Sequence, residues 1–87
     1  MGERKHVILG VHITDRVKRA ERVQQVLTRH GGRIKTRLGL HDADEVHGSP
    51  NGLILLEVVG GVGEIAALEK DLKAVAGVDV KKMVFRH

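Results

Sequence analysis

Residues 52–59 read Gly52-Leu53-Ile54-Leu55-Leu56-Glu57-Val58-Val59, and Glu57 is the one charged side chain in that run. A half-exposed strand alternates apolar with polar residues. A run that is apolar at nearly every position predicts a strand covered on both faces, in the middle of a sheet. Ser49-Pro50-Asn51-Gly52 supplies turn chemistry directly before it, so the preceding strand should fold back on it as a hairpin. That strand is Arg33 to Leu40. Strict alternation would put Ile34, Thr36 and Leu38 on one face and Arg33, Lys35 and Arg37 on the other, the pattern of a charge-protected edge. His41 to Asn51 reads as a polar connection between the two.

Working outward, Lys5 to Ile13 alternates Val7, Leu9, Val11 and Ile13 with His6, Ile8, Gly10 and His12, a strand with one strongly apolar face. Thr14-Asp15 follows, and either side chain can accept hydrogen bonds from the free N–H groups of a starting helix. Val17, Ala20, Val23, Val26 and Leu27 then recur at helical spacing, with Lys18, Arg22, Gln25 and Arg29 on the opposite side. Gly31-Gly32 is expected to end this helix in the left-handed conformation. After the central run, Gly60, Gly61 and Gly63 open a second helix with Ile65, Leu68, Leu72 and Val75 inward and a Glu69–Lys73 pair one turn apart. Gly77 closes it. The last strand, Val78 to Phe85, alternates at first and is expected to lose its register around Lys81-Lys82-Met83.

The order β-α-β-β-α-β over residues 1–87 predicts an α+β, ferredoxin-like sandwich, a single domain with a four-stranded antiparallel sheet and two helices on one face. The two most apolar strands, the first and third, should be central. The uncovered face would then carry Ile8, His12 and part of the third strand's apolar set, too much apolar surface to stay wet, so a homodimer or homotetramer is expected.

Composition narrows the function. The 87 residues leave no room for a second core or a large cleft, and cysteine is absent, which excludes disulfides, thiolate nucleophiles and thiolate metal sites. No apolar stretch approaches membrane-spanning length and the start is not signal-like, so a cytoplasmic protein without membrane association is expected. The net charge of +4 hides an asymmetry: through His41 there are ten Lys/Arg against three Asp/Glu, and from Asp42 onward five against eight. Such asymmetry fits either a nucleic-acid surface or self-association.

Three features carry chemistry. His41-Asp42-Ala43-Asp44-Glu45-Val46-His47 gathers imidazoles and carboxylates, making His41, Asp44 and His47 the candidate metal ligands, although no standard ligand spacing is matched and a solvated loop is the simpler reading. Gly60-Gly61-Val62-Gly63 lies where a helix N-terminus favours an anion, but it matches no nucleotide fingerprint and has no neighbouring lysine. Lys18, Arg22 and Arg29 line one helix face and could follow phosphates. A single phenylalanine and no Tyr or Trp leave no stacking platform, which weighs against nucleic acid. With Ser49 alone in a turn and no placed carboxylate pair, no active site is expected: the chain reads as non-enzymatic, with no cofactor.

Thr36-Arg37-Leu38-Gly39-Leu40, Gly52 to Val59, Glu64-Ile65-Ala66-Ala67-Leu68 with Leu72, and Gly77-Val78-Asp79-Val80-Lys81-Lys82-Met83 together resemble the family of iron-only hydrogenase system regulators, over nearly the whole chain. The resemblance implies an ACT-like domain, similar to the regulatory domain of the nickel-responsive repressor and associating through its sheets. It further implies a small-molecule effector held at a subunit interface near the first strand-to-helix turn. Here that turn supplies Thr14, Asp15 and Arg16. It lacks the Pro-Gly that amino-acid-binding members often show after the aspartate. The repressor's cysteine ligand and N-terminal DNA-binding ribbon are missing too, so nickel-responsive repression does not carry over. The expectation is therefore a homo-oligomeric regulatory domain that binds an effector and signals to a partner protein.

Overall fold

A computed structural model describes residues 5–40 and 51–86. The elements are β1 (Lys5–Ile13), α1 (Arg16–Arg29), a 3-10 turn (Gly31–Arg33), β2 (Ile34–Leu40), β3 (Gly52–Val58), α2 (Val62–Lys73) and β4 (Val78–Arg86). The strands form one antiparallel sheet in the order β2-β3-β1-β4. This is the ferredoxin-like arrangement, with the two most apolar strands in the centre.

The alternation of β1 decides what each face does. Val7, Leu9, Val11 and Ile13 are buried beneath the helices and pair with Val58, Leu56, Ile54 and Gly52 of β3. Val23, Val26 and Leu27 of α1 and Ile65, Leu68 and Leu72 of α2 close this layer, together with Val75 in the following turn. Each such side chain contributes roughly 1.5–3 kcal/mol when fully buried, and with no described tryptophan or tyrosine the interior is aliphatic. Ala20, expected inward, is exposed; the core-facing stripe of α1 is set by Val23, Val26 and Leu27.

Four local expectations are corrected. β2 does not alternate strictly: Ile34 pairs with Val58 on the helix side, then a bulge at Lys35 shifts the register, so that Thr36 and Leu38 pair with Glu57 and Leu55 on the other face. Gly31 and Gly32 are not left-handed. They form a 3-10 turn, and among described residues only Gly60, Gly77 and Asp15 have positive φ. The Asp15 side chain does not cap α1, because its own backbone is left-handed (φ 58°, ψ 61°) and the carboxylate makes no hydrogen bond to the first turn. Finally, β4 keeps its register with β1 through nine consecutive pairs, Ile13–Val78 to Lys5–Arg86. The alternation fails in sequence because Lys82 points to the helix layer, where it meets Glu69 at 3.1 Å.

The uncovered face carries Ile8, Leu38, Leu53, Leu55, Met83 and Phe85, as the registers require. Leu38 is 52% exposed, and the Thr36 hydroxyl donates to Glu57 Oε1 at 3.0 Å beside it.

Candidate functional site

Three chain segments meet at the end of β1. The Thr14 N–H donates to the Gly77 carbonyl at 2.8 Å, tying the β1–α1 turn to the α2–β4 turn. The Asp15 N–H donates to Asn51 Oδ1 at 3.2 Å, tying the same turn to the start of β3. The Asp15 carbonyl accepts from the N–H groups of Lys18 and Arg19, which starts α1. A left-handed aspartate costs about 1–2 kcal/mol relative to ordinary helical backbone, and the two bonds hold it there. Its exposed carboxylate, excluded from capping, is free of partners among the described residues.

Gly77 has φ +81°, and a Cβ there would lie 3.0 Å from the Thr14 carbonyl oxygen and 3.5 Å from Arg19 Nε. The corner therefore needs glycine at this position, both for conformation and for space. Arg19 passes beneath it, with Nε buried and without a hydrogen-bond partner. A buried donor left unpaired costs about 1–3 kcal/mol, and because this atom is closed to solvent an outside acceptor reaches it only if the corner opens. Thr14 and Asp15 are brought together here with Arg19, Asn51 and Gly77. The side chain of Arg16 is not among those described. Sequence reasoning passed over Arg19 as one more basic residue of the first helix; its spacing alone, three residues before Arg22, held no signal for the burial.

The basic row Lys18, Arg22 and Arg29 is exposed along α1. At its far end Arg29 lies 3.7 Å from Asp71 of α2, and His30 Nε2 donates to the same Asp71 oxygen at 2.7 Å. That hydrogen bond, with the nearby charges of His30, Arg29 and Lys70, holds the Asp71 carboxyl below its ordinary value against a smaller opposing effect of desolvation. A groove of about 440 Å³ beside it is lined by Arg29, His30, Gly32, Arg33, Glu64 and Ala67.

At the N-terminus of α2, Glu64 accepts from the Gly61 N–H at 3.2 Å and binds Arg33 Nε at 3.0 Å. The helix supplies its own carboxylate to the place an anion would take. Gly60, at φ +122°, serves the tight strand-to-helix turn. His41, Asp44 and His47 lie outside the described residues; among those described, no group of three or more His, Asp or Glu is placed to hold a metal ion. No described helix is long and apolar enough to cross a membrane.

No family model and no curated protein matches the chain. Solved structures do. An uncharacterized protein of Thermotoga maritima is 25% identical and superposes with a TM-score of 0.80 over 94% of this chain and 99% of that one. The ACT domain of a GTP pyrophosphokinase from Chlorobium tepidum is 15% identical, with a TM-score of 0.68 over 94% of this chain and all of that one. A nitrogen regulatory PII-like protein from Thiomonas intermedia, solved with ADP, AMP and bicarbonate, is 15% identical, with a TM-score of 0.58 over 97% and 93%. The fold is thus shared with ACT and PII-like proteins, and the chain has the ferredoxin-like βαββαβ architecture.

Proposed function

We propose that this chain is a non-enzymatic, self-associating ACT-like regulatory domain that binds a small effector at the β1–α1 corner and passes the bound state to a partner protein. One observation carries the reading: the corner joins an uncommitted Asp15 carboxylate, held in left-handed backbone, to a buried Arg19 Nε with no partner. An effector with a carboxylate or phosphate acceptor would satisfy Arg19 once the corner opens to admit it, and a donor on the same molecule would meet the exposed Asp15 carboxylate. Because Thr14 and Asp15 are bonded to Gly77 and Asn51, a ligand there touches the junction of β1, β3 and β4. That junction gives a route from ligand to sheet.

Support from likeness is of two kinds. The solved PII-like relative was crystallised with ADP, AMP and bicarbonate, so this architecture holds small anionic ligands in at least one protein. The sequence resemblance extends the role to regulation in an iron-only hydrogenase system. Self-association rests on the apolar sheet face, where Leu38 and Met83 stand open to water beside a half-buried Leu55.

Thermal-shift screening of small carboxylates and nucleotides, followed by calorimetry, tests the site. A bound effector raises the melting temperature. Its affinity falls tenfold or more in Asp15→Asn, which tolerates left-handed backbone but removes the charge, and in Arg19→Gln. An effector whose affinity is unchanged in both variants would place the site elsewhere.

A further inference from the structure

The sheet has two edges, β2 and β4, and they are built differently. β2 is seven residues long, shifts register at Lys35 and carries the cations of Lys35 and Arg37. Cations stand on both edges, with Lys81, Lys82 and Arg86 on β4, so it is the bulge that sets β2 apart as an edge that resists another strand. β4 runs nine residues in unbroken register, and its consecutive residues Met83, Val84 and Phe85 are 55%, 40% and 53% exposed. Neighbouring residues alternate faces, so this trio presents apolar surface on both sides of one open edge. Such an edge is a template for strand addition.

The charges of β4 select the strand that fits. In an antiparallel pairing of β4 with β4 of a second copy, about a twofold axis perpendicular to the sheet, residues opposite each other share a face. Centring the pair on Lys81 or Lys82 would set like charges directly opposite, and centring on Val84 would set Lys82 opposite Arg86; each is destabilising. A centre at Val80 leaves Met83 to Phe85 outside the ladder, and one at Phe85 leaves a ladder only a few residues long. A centre at Met83 avoids every one of these conflicts. It puts Val84 opposite Lys82 of the second copy and Phe85 opposite its Lys81, twice over by symmetry, with each Lys81 ammonium beside an aromatic ring. Lys82 meanwhile keeps Glu69 at 3.1 Å.

We infer that β4 pairs antiparallel with β4 of a second copy, centred on Met83, and joins the two four-stranded sheets into one continuous sheet. Residues 80–86 of each copy form the ladder, with about six to eight backbone hydrogen bonds. The inference rests on the self-associating reading above and names a contact distinct from the open sheet face.

Sedimentation velocity on the full chain over a micromolar concentration series tests it, with circular dichroism confirming each variant's fold. Val84 points to the helix side, away from the open face, as its pairing with buried Val7 requires. Val84→Lys sets lysine opposite Lys82 in both halves and is expected to raise the dimer dissociation constant about tenfold or more. Val84→Glu sets a carboxylate there instead and is expected to stay within about threefold of the wild type. Equal effects of the two substitutions, or none, would overturn the pairing. If Leu55→Glu on the open face dissociates the assembly while Val84→Lys does not, the edge contact is wrong and self-association through the face stands. A wild-type chain that is monomeric throughout the series overturns both.

Discussion

Replacing Gly77 with alanine strains the corner on which the proposed site is built. At φ +81° an alanine takes on a left-handed penalty of about 1–2 kcal/mol. Its methyl would also lie 3.0 Å from the Thr14 carbonyl oxygen, a backbone atom that can move only with the β1–α1 turn. That turn is already tied to Gly77 by the 2.8 Å bond from Thr14 N–H to the Gly77 carbonyl, so relief of the contact lengthens the bond. Part of a net hydrogen-bond contribution of about 0.5–1.5 kcal/mol is then lost as well. The expected destabilisation is about 2–3 kcal/mol, a fall in melting temperature of about 8–24 °C for a domain this small. Gly31→Ala is the internal control. Gly31 has ordinary negative φ and nothing within 4 Å of a Cβ, so alanine should be neutral or stabilise by about 0.4–1 kcal/mol through the unfolded chain. Urea unfolding followed by circular dichroism measures both. A Gly77→Ala midpoint within about 0.5 kcal/mol of the wild type, or a Gly31→Ala loss equal to it, would refute the account of the corner.

Two further substitutions probe the rest of the fold. The Asp71 carboxyl is held below its ordinary value in the folded chain, so the stability it contributes is present above the unfolded carboxylate range and is lost as pH falls through the depressed folded value; urea midpoints measured on lowering the pH from neutral should fall more steeply for the wild type than for Asp71→Asn. Leu68, fully buried between α2 and the sheet, should cost about 2–5 kcal/mol when cut to alanine, read from the same urea curves, with no change in any charge-dependent behaviour.

Sequence pattern reached the architecture because the signals were physical and local. The apolar run at residues 53–56 suited a central strand better than a half-exposed one, and the alternation of Val7 to Ile13 gave the first strand one strongly apolar face. What stayed hidden depended on tertiary partners. The Lys35 bulge has no signature in a strand that otherwise alternates; it exists because Val58 buries Ile34 while Leu55 pairs with Leu38. Lys82 broke the apparent alternation of β4, but Glu69 is what allows a lysine under the helix layer. The site divides in the same way. Thr14 and Asp15 were legible as a strand-to-helix turn. Arg19 was not, because its burial depends on Gly77, and Asn51 and Gly77 were not, because they reach the turn only from later strands of the sheet.

The bulge at Lys35 has a consequence for how this strand tolerates change in length. Ile34, Thr36 and Leu38 are all even-numbered, yet one serves the aliphatic interior and two serve the outer face. A single extra residue divides the strand into two stretches with separate obligations. Paired without a bulge at its present length, the strand would bring Ile34 and Leu38 to the same face, whereas deleting Lys35 restores plain alternation with each on the side it already serves. Between Ile34 and Thr36 the strand can lose a residue and keep both faces, while a deletion after Thr36 would turn Leu38 over.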